Sequence, residues 1–162
     1  MSRARAALAV LVAALGAGCG YTVASGAGAA RLPAGAEKVY VPVLDNRTGE
    51  AEAGALVSAA LREELARRGS SGGEGAPARI EGAVVRCTAS PVTVQSGTWR
   101  LVLDVEAHLV LGGKPGPEIK VHREVDFLGE VDALATEGRR RIAVRRAAAD
   151  AARDIVERLE TP

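Results

Sequence analysis

TWRLVLDVEAHLVL, residues 98–111, sets Trp99, Leu101, Leu103, Val105, Ala107, Leu109 and Leu111 on one parity and Arg100, Asp104, Glu106 and His108 on the other. A strand turns successive side chains to opposite faces, so this stretch is a strand with one dry face and one wet face. GGKPGP, residues 112–117, supplies turn residues, after which Ile119, Val121, Val125 and Phe127 alternate with Lys120, His122, Glu124 and Asp126. The two runs read as a long antiparallel hairpin. A turn centred near residues 114 and 115 would bring His108 and His122 roughly opposite each other.

Upstream of the hairpin, KVYVPVLD, residues 38–45, alternates as a strand, with Pro42 pushing it toward a sheet edge or bulge. NRTGE, residues 46–50, is a turn, and Leu56, Val57, Ala60, Leu61 and Leu65 then recur at helical spacing before Gly69 as a C-cap. SSGGEGAP, residues 70–77, is a loop, and Arg79 to about Gln95 is a further extended segment weakened by Gly82 and Pro91. From Val131 to Glu160 there is no proline, and Leu134, Ile142, Ala149, Ala152, Ile155, Val156 and Leu159 mark a second helical stripe. Each helix has one apolar stripe and each good strand one apolar face. The fold class that buries them is α+β: a two-layer sandwich with two helices on one face of a four-stranded, mostly antiparallel sheet. The other sheet face stays polar and open.

The N-terminus carries Arg3 and Arg5, the uncharged run AALAVLVAAL over residues 6–15, then GAG and Cys19. A positive start, a short apolar stretch and small residues make a secretory signal. The apolar stretch is too short for a membrane-spanning helix, which needs roughly 20 residues. Lipoprotein processing requires a thiol as the first mature residue, and Cys19 stands at that place, although Gly16 replaces the leucine usual three residues before it. The competing reading is a chain cut nearby and released, with Cys19 a bystander. Several acyl chains on one cysteine suffice for stable anchoring. Gly20 follows in place of the aspartate that commonly retains lipoproteins at the inner membrane, which favours the outer one. The organisation read from this is a signal peptide over residues 1–18, a lipidated N-terminus and Gly/Ala tether over 19–36, and one domain over 37–162.

Without Arg3 and Arg5 the mature chain keeps 19 of the 21 Lys and Arg residues against 20 Asp and Glu, a net charge of −1. That balance argues against nucleic acid as a partner. Apolar residues make up 48% of the chain but only four are aromatic, so the core rests on Val, Leu and Ala. There are two cysteines, and with Cys19 acylated Cys87, in VVRCT, reads as a small buried hydrophobe.

Little in the chain points to catalysis. His108 and His122, flanked by Glu106 and Glu124, form the only cluster with metal-ligand chemistry, and a metal-dependent enzyme is the weakest reading, because exposed sheet faces produce such clusters by default. GAGAA, residues 26–30, follows no strand and opens no helix, so it is not a phosphate loop, and no cofactor is implied. GRRRIAVRR, residues 138–146, is either a solvated helix face or a site for an anionic ligand such as phosphorylated lipid.

The CGY start, PVLDNRT after the first strand, the TWRLVLDVEAHLVL hairpin and the DALATEGRRRIAVRRAAADAARDIVERL helix together resemble the LptE family of lipopolysaccharide-assembly lipoproteins, from Cys19 to about Leu159. The resemblance implies a non-enzymatic outer-membrane lipoprotein that sits as a plug in the β-barrel LptD and helps it insert lipopolysaccharide into the outer leaflet. It also implies lipopolysaccharide contacts near the hairpin start and before the last helix, where this chain has VQSGTWR and DALATEGRR. Thr136 stands about where the family has a loop lysine, and Arg100 with Arg139, Arg140 and Arg141 are the candidate contacts. The alternative from another class is a free-standing envelope lipoprotein that binds a small or lipid ligand without a barrel.

Overall fold

The computed structural model describes residues 31–93 and 97–160. The expected signal peptide, Cys19 and most of the tether lie outside the described residues, as do residues 94–96 of the second extended segment. The elements in chain order are β1 (Val39–Tyr40), β2 (Asp45–Asn46), α1 (Ala53–Arg67), β3 (Ala78–Pro91), β4 (Thr98–Leu111), β5 (Lys114–Pro115), β6 (Ile119–Leu128) and α2 (Ala133–Glu160).

Six strands occupy four positions in one sheet: β1 and β2 lie beside β3, β3 beside β4, and β5 and β6 beside β4. β3, β4 and β6 pair antiparallel, whereas β1 and β2 run parallel to β3. A parallel neighbour needs a crossover, and α1 supplies it. The expected single strand over residues 38–45 is therefore two short pieces, separated at Pro42, which has no N–H for the ladder. The two helices pack on one face, as the alternation requires.

β4 behaves as its parity predicts. Leu101, Leu103, Val105, Ala107 and Leu109 are buried while Arg100, Asp104, Glu106 and His108 are half-exposed. On β3 the parity changes midway: Ala78, Ile80 and Val84 face the core, then Cys87 does. A register shift between Val84 and Arg86 inserts one extra residue, and a bulge of that kind turns every later side chain over. Gly82 is required beside it, because a Cβ there would lie 2.1 Å from the Glu106 carbonyl oxygen.

The hairpin turns earlier than its midpoint suggests. Gly112 and Gly113 both have positive φ, 57° and 80°, so they form a tight two-residue turn rather than leaving it to residues 114 and 115. Asp104 consequently faces His122, and Glu106 faces Lys120. His108 pairs across β3 with Glu81 instead. The expected opposition of the two histidines is thus corrected: four residues of strand, about 13 Å, separate their positions along the sheet.

The core joins Leu61 and Leu65 of α1, Ile80, Leu101 and Leu103 of the sheet, and Ile155 of α2, all fully buried. Each contributes about 1.5–3 kcal/mol relative to exposure. The stripe of α2 differs from the expected one. Ala143, Val144, Ala147, Ala148, Ala151, Ala152, Ile155 and Val156 are its buried residues, while Ala149 is exposed and Leu134 and Ile142 stand 78% and 66% exposed. Alanines let this helix lie close to the sheet and to α1, and the larger apolar residues of its first turns are left outside. Arg68 ties the helices together, 2.6 Å from the buried Glu64 and 2.7 Å from Glu160. Ser58, also buried, accepts from the Leu44 N–H at 2.8 Å and donates to the Gly54 carbonyl at 2.7 Å, pinning the segment between β1 and β2 to α1.

Cys87 is buried as read from its valine-rich context. Burial pushes its thiol up to about 11.

Candidate functional site

Two regions carry the polar chemistry: the open face of the sheet, and the tip where β4 starts, β6 ends and α2 begins.

On the open face, cross-strand neighbours are matched in charge. Lys120 reaches Glu106 at 2.9 Å and Glu118 at 3.1 Å. His122 Nδ1 is 2.5 Å from Asp104, and Arg86 approaches the same carboxylate at 3.2 Å. Arg100 donates to Asp126 through Nε at 2.8 Å and Nη2 at 3.0 Å, a two-pronged pair, and lies 3.3 Å from Glu124. His108 is 3.8 Å from Glu81, which Arg79 also meets at 2.6 Å. The hydrogen bond to Asp104, helped by one to Glu124, holds His122 above the usual imidazole range. The Arg100 guanidinium holds the Asp126 carboxyl below its usual range. With the histidines apart and each facing its own acid, the described residues contain no group of three or more that could hold a metal. The face is a woven set of ion pairs, hydrophilic and mildly acidic, with six carboxylates against four Lys and Arg and His122.

At the tip, Asp132 caps α2 by accepting from the Leu134 N–H at 2.9 Å. The Thr136 hydroxyl accepts from the Glu130 N–H at 2.8 Å and lies 3.1 Å from the carbonyls of Glu130 and Asp132. Thr136 therefore shapes the loop. Trp99 and Phe127 stack with ring centroids 6.4 Å apart. Leu128, Val131, Leu134 and Ile142, at the end of β6, in the loop after it and in the first turns of α2, are exposed apolar side chains.

Of the candidate arginines, Arg139, Arg140 and Arg141 fall in this region and Arg100 on the adjoining open face, but none of the four is free. Arg100 is held by Asp126, Arg139 by Glu130, Arg140 by Glu50 and Glu137, and Arg141 by Glu137 at 3.2 Å. Arg140, with help from Arg141, pulls the Glu137 carboxyl down to about 2. Arg145 and Arg146, in the same basic run, are exposed and have no ion-pair partner among the described residues. The signal for this was in the sequence. Arg145 has no acid three or four residues away, and the one such acid near Arg146, Asp150, is taken by Arg153 at 3.5 Å.

Comparison with known proteins agrees with this architecture. Among solved structures, a candidate lipoprotein of Caulobacter crescentus superposes with a TM-score of 0.58 at 21% identity, over 74% of this chain and 88% of that one. The rare lipoprotein B of Shewanella oneidensis does so with a TM-score of 0.50 at 20% identity, over 71% and 90%. A PelC dodecamer from Paraburkholderia phytofirmans gives 0.53 at 15% identity, over 74% and 85%. At these identities the likeness is one of fold alone. No curated protein matches. The family model described as LptE, lipopolysaccharide-assembly, matches residues 36–159, from the buried Ala36 to the last apolar residue of α2. The chain belongs to the LptE family of lipopolysaccharide-assembly lipoproteins.

Proposed function

We propose that this protein is an outer-membrane lipoprotein, acylated at Cys19, that plugs the lumen of the β-barrel LptD and helps assemble it as a lipopolysaccharide-inserting machine. The observation that carries this reading, given the family, is the sheet's open face. A bare apolar face would seek a greasy partner, whereas a face of compensated ion pairs suits the polar, water-lined interior of a barrel. The connected apolar core lies on the helix side, and of the buried apolar residues Val110 and Ala83 share the parity of the open face. In this reading the N-terminal lipid attaches the protein to the membrane, and no helix among the described residues is long and apolar enough to cross one. The role is structural, and it calls for no catalytic group.

The tip is the proposed contact for lipopolysaccharide. Arg139 lies beside Phe127, Leu128 and Ile142, and Arg140 beside Trp99, Phe127 and Val131, with Arg141 next on the helix and Arg100 on the adjoining open face, a combination suited to a phosphorylated, acylated ligand. Since those four already face carboxylates, phosphates must compete for them, and Arg145 and Arg146 extend the basic surface. Charge reversal at Arg100 and Arg139 together should weaken lipopolysaccharide binding by the purified protein. Undiminished binding in low salt would remove these residues from the contact. At the level of the cell, depleting the protein should lower surface lipopolysaccharide and leave the barrel unassembled. Normal surface lipopolysaccharide after depletion would overturn the reading.

A further inference from the structure

At the end of the sheet opposite the tip, the core face runs on past the end of α2. Leu109, Leu111 and Ile119 lie on the helix-facing parity, yet Leu159 is the last apolar residue of the helix above them. The result is a trough of about 630 Å³ closed on its other sides by Pro33, Pro115 and Pro117. Its volume lies within the roughly 300–1,000 Å³ typical of small-molecule sites. Two cations, Lys114 and Arg158, stand in its wall and no acid does. Arg158 is held in place, donating to the Lys120 carbonyl at 3.0 Å and to Asp154 at 3.1 Å. Asp154 is shared with Arg123 at 2.7 Å, so that trio keeps a net positive charge. Lys114 has no ion-pair partner among the described residues.

The tether meets the fold at this place. Leu32 packs against the core, Ala36 is fully buried, and Pro33 forms part of the trough wall. Pro33 is 14 residues from Cys19, a span of at most about 50 Å. A chain anchored through Cys19 therefore keeps the trough within about 50 Å of the leaflet that holds it, so the trough can reach that surface. This step rests on the acylated anchor of the proposed function.

We infer that the trough is a lipid site, taking one acyl chain of an anionic phospholipid of the surrounding leaflet, with its phosphate between Lys114 and Arg158. The chain lies along Leu109, Leu111 and Ile119, and the charge-assisted contacts at the mouth select an anionic headgroup over a zwitterionic one. The site is remote from the tip arginines and independent of them. It couples the plug to the membrane by a contact other than the covalent anchor.

The test is native mass spectrometry of the full-length protein, extracted from membranes in a mild nonionic detergent. The expected result is about one anionic phospholipid retained per chain. Leu111→Trp, which fills the trough from a partly exposed position, should abolish retention. Lys114→Glu, a change at an exposed position without an ion-pair partner among the described residues, should lower it about tenfold. Retention that is unchanged in both variants, a retained lipopolysaccharide in place of phospholipid, or a lipid-free dimer would each overturn the inference. An intact acylated N-terminus with no retained lipid would overturn it while leaving the anchor standing. The same spectra read the N-terminal mass, so a chain without acyl groups counts against the proposed function separately.

Discussion

Two isoleucines on the last helix separate the packing described here from a simple count of apolar residues. Ile155 is fully buried against the sheet, and Ile142, thirteen positions earlier, is 66% exposed. Truncating Ile155 to alanine removes three carbon groups from water-free surroundings, about 2.4 kcal/mol at ~0.8 kcal/mol each. The cavity left between helix and sheet adds to this and brings the cost to about 2–5 kcal/mol. The same change at Ile142 forfeits roughly a third of the transfer energy, below ~1 kcal/mol. The better helix propensity of alanine offsets about 0.4 kcal/mol of that. Thermal unfolding followed by circular dichroism should show Ile155→Ala melting roughly 10 °C below the parent and Ile142→Ala within about 2 °C of it. Comparable losses in both variants would refute the assignment of the alanine-rich face to the core.

Gly82→Ala places a methyl 2.1 Å from the Glu106 carbonyl oxygen, backbone that cannot move aside without breaking the β3–β4 ladder, so a destabilisation of about 1–3 kcal/mol or more is expected in urea unfolding. Cys87, buried and pushed up to about 11, should resist alkylation at pH 8 in the folded protein and react at once in urea; fast labelling of the native state would show the thiol to be accessible. His122 is raised by Asp104, so its contribution to stability is fully present below the ordinary imidazole value near 6.5 and is lost as pH rises through the higher folded value. Its ring signals in NMR should titrate above 6.5, and Asp104→Asn should bring the midpoint down; an unmoved midpoint would mean that the contact does not persist in solution.

Much of the fold was legible in the chain because β4 and β6 carry their faces in alternation broken at few positions, such as Val102 and Arg123, and one strand of such clarity fixes which side the helices must take. What escaped reading depends on backbone detail or on residues distant in sequence. The bulge at Val85 inverts the parity of β3 without any mark in composition, and Gly112 and Gly113 move the turn by adopting positive φ, which shifts every cross-strand partner. On α2 the size of Leu134 and Ile142 misleads, since the tight approach to the sheet selects alanine for the interface. The arginines at the tip were visible, but their state was not. Glu50 and Arg140 are 90 positions apart, and only the folded chain shows that they meet.

The central claim is that the ion-paired face of this sheet fills a barrel, and it is tested most directly by isolating the protein from native membranes. Extracted in mild detergent through a tag on its C-terminus, it should come out with one large β-barrel in equal molar amount, stable through size exclusion. Recovery as a solitary chain, with no barrel at any detergent concentration that preserves other outer-membrane complexes, would contradict the account.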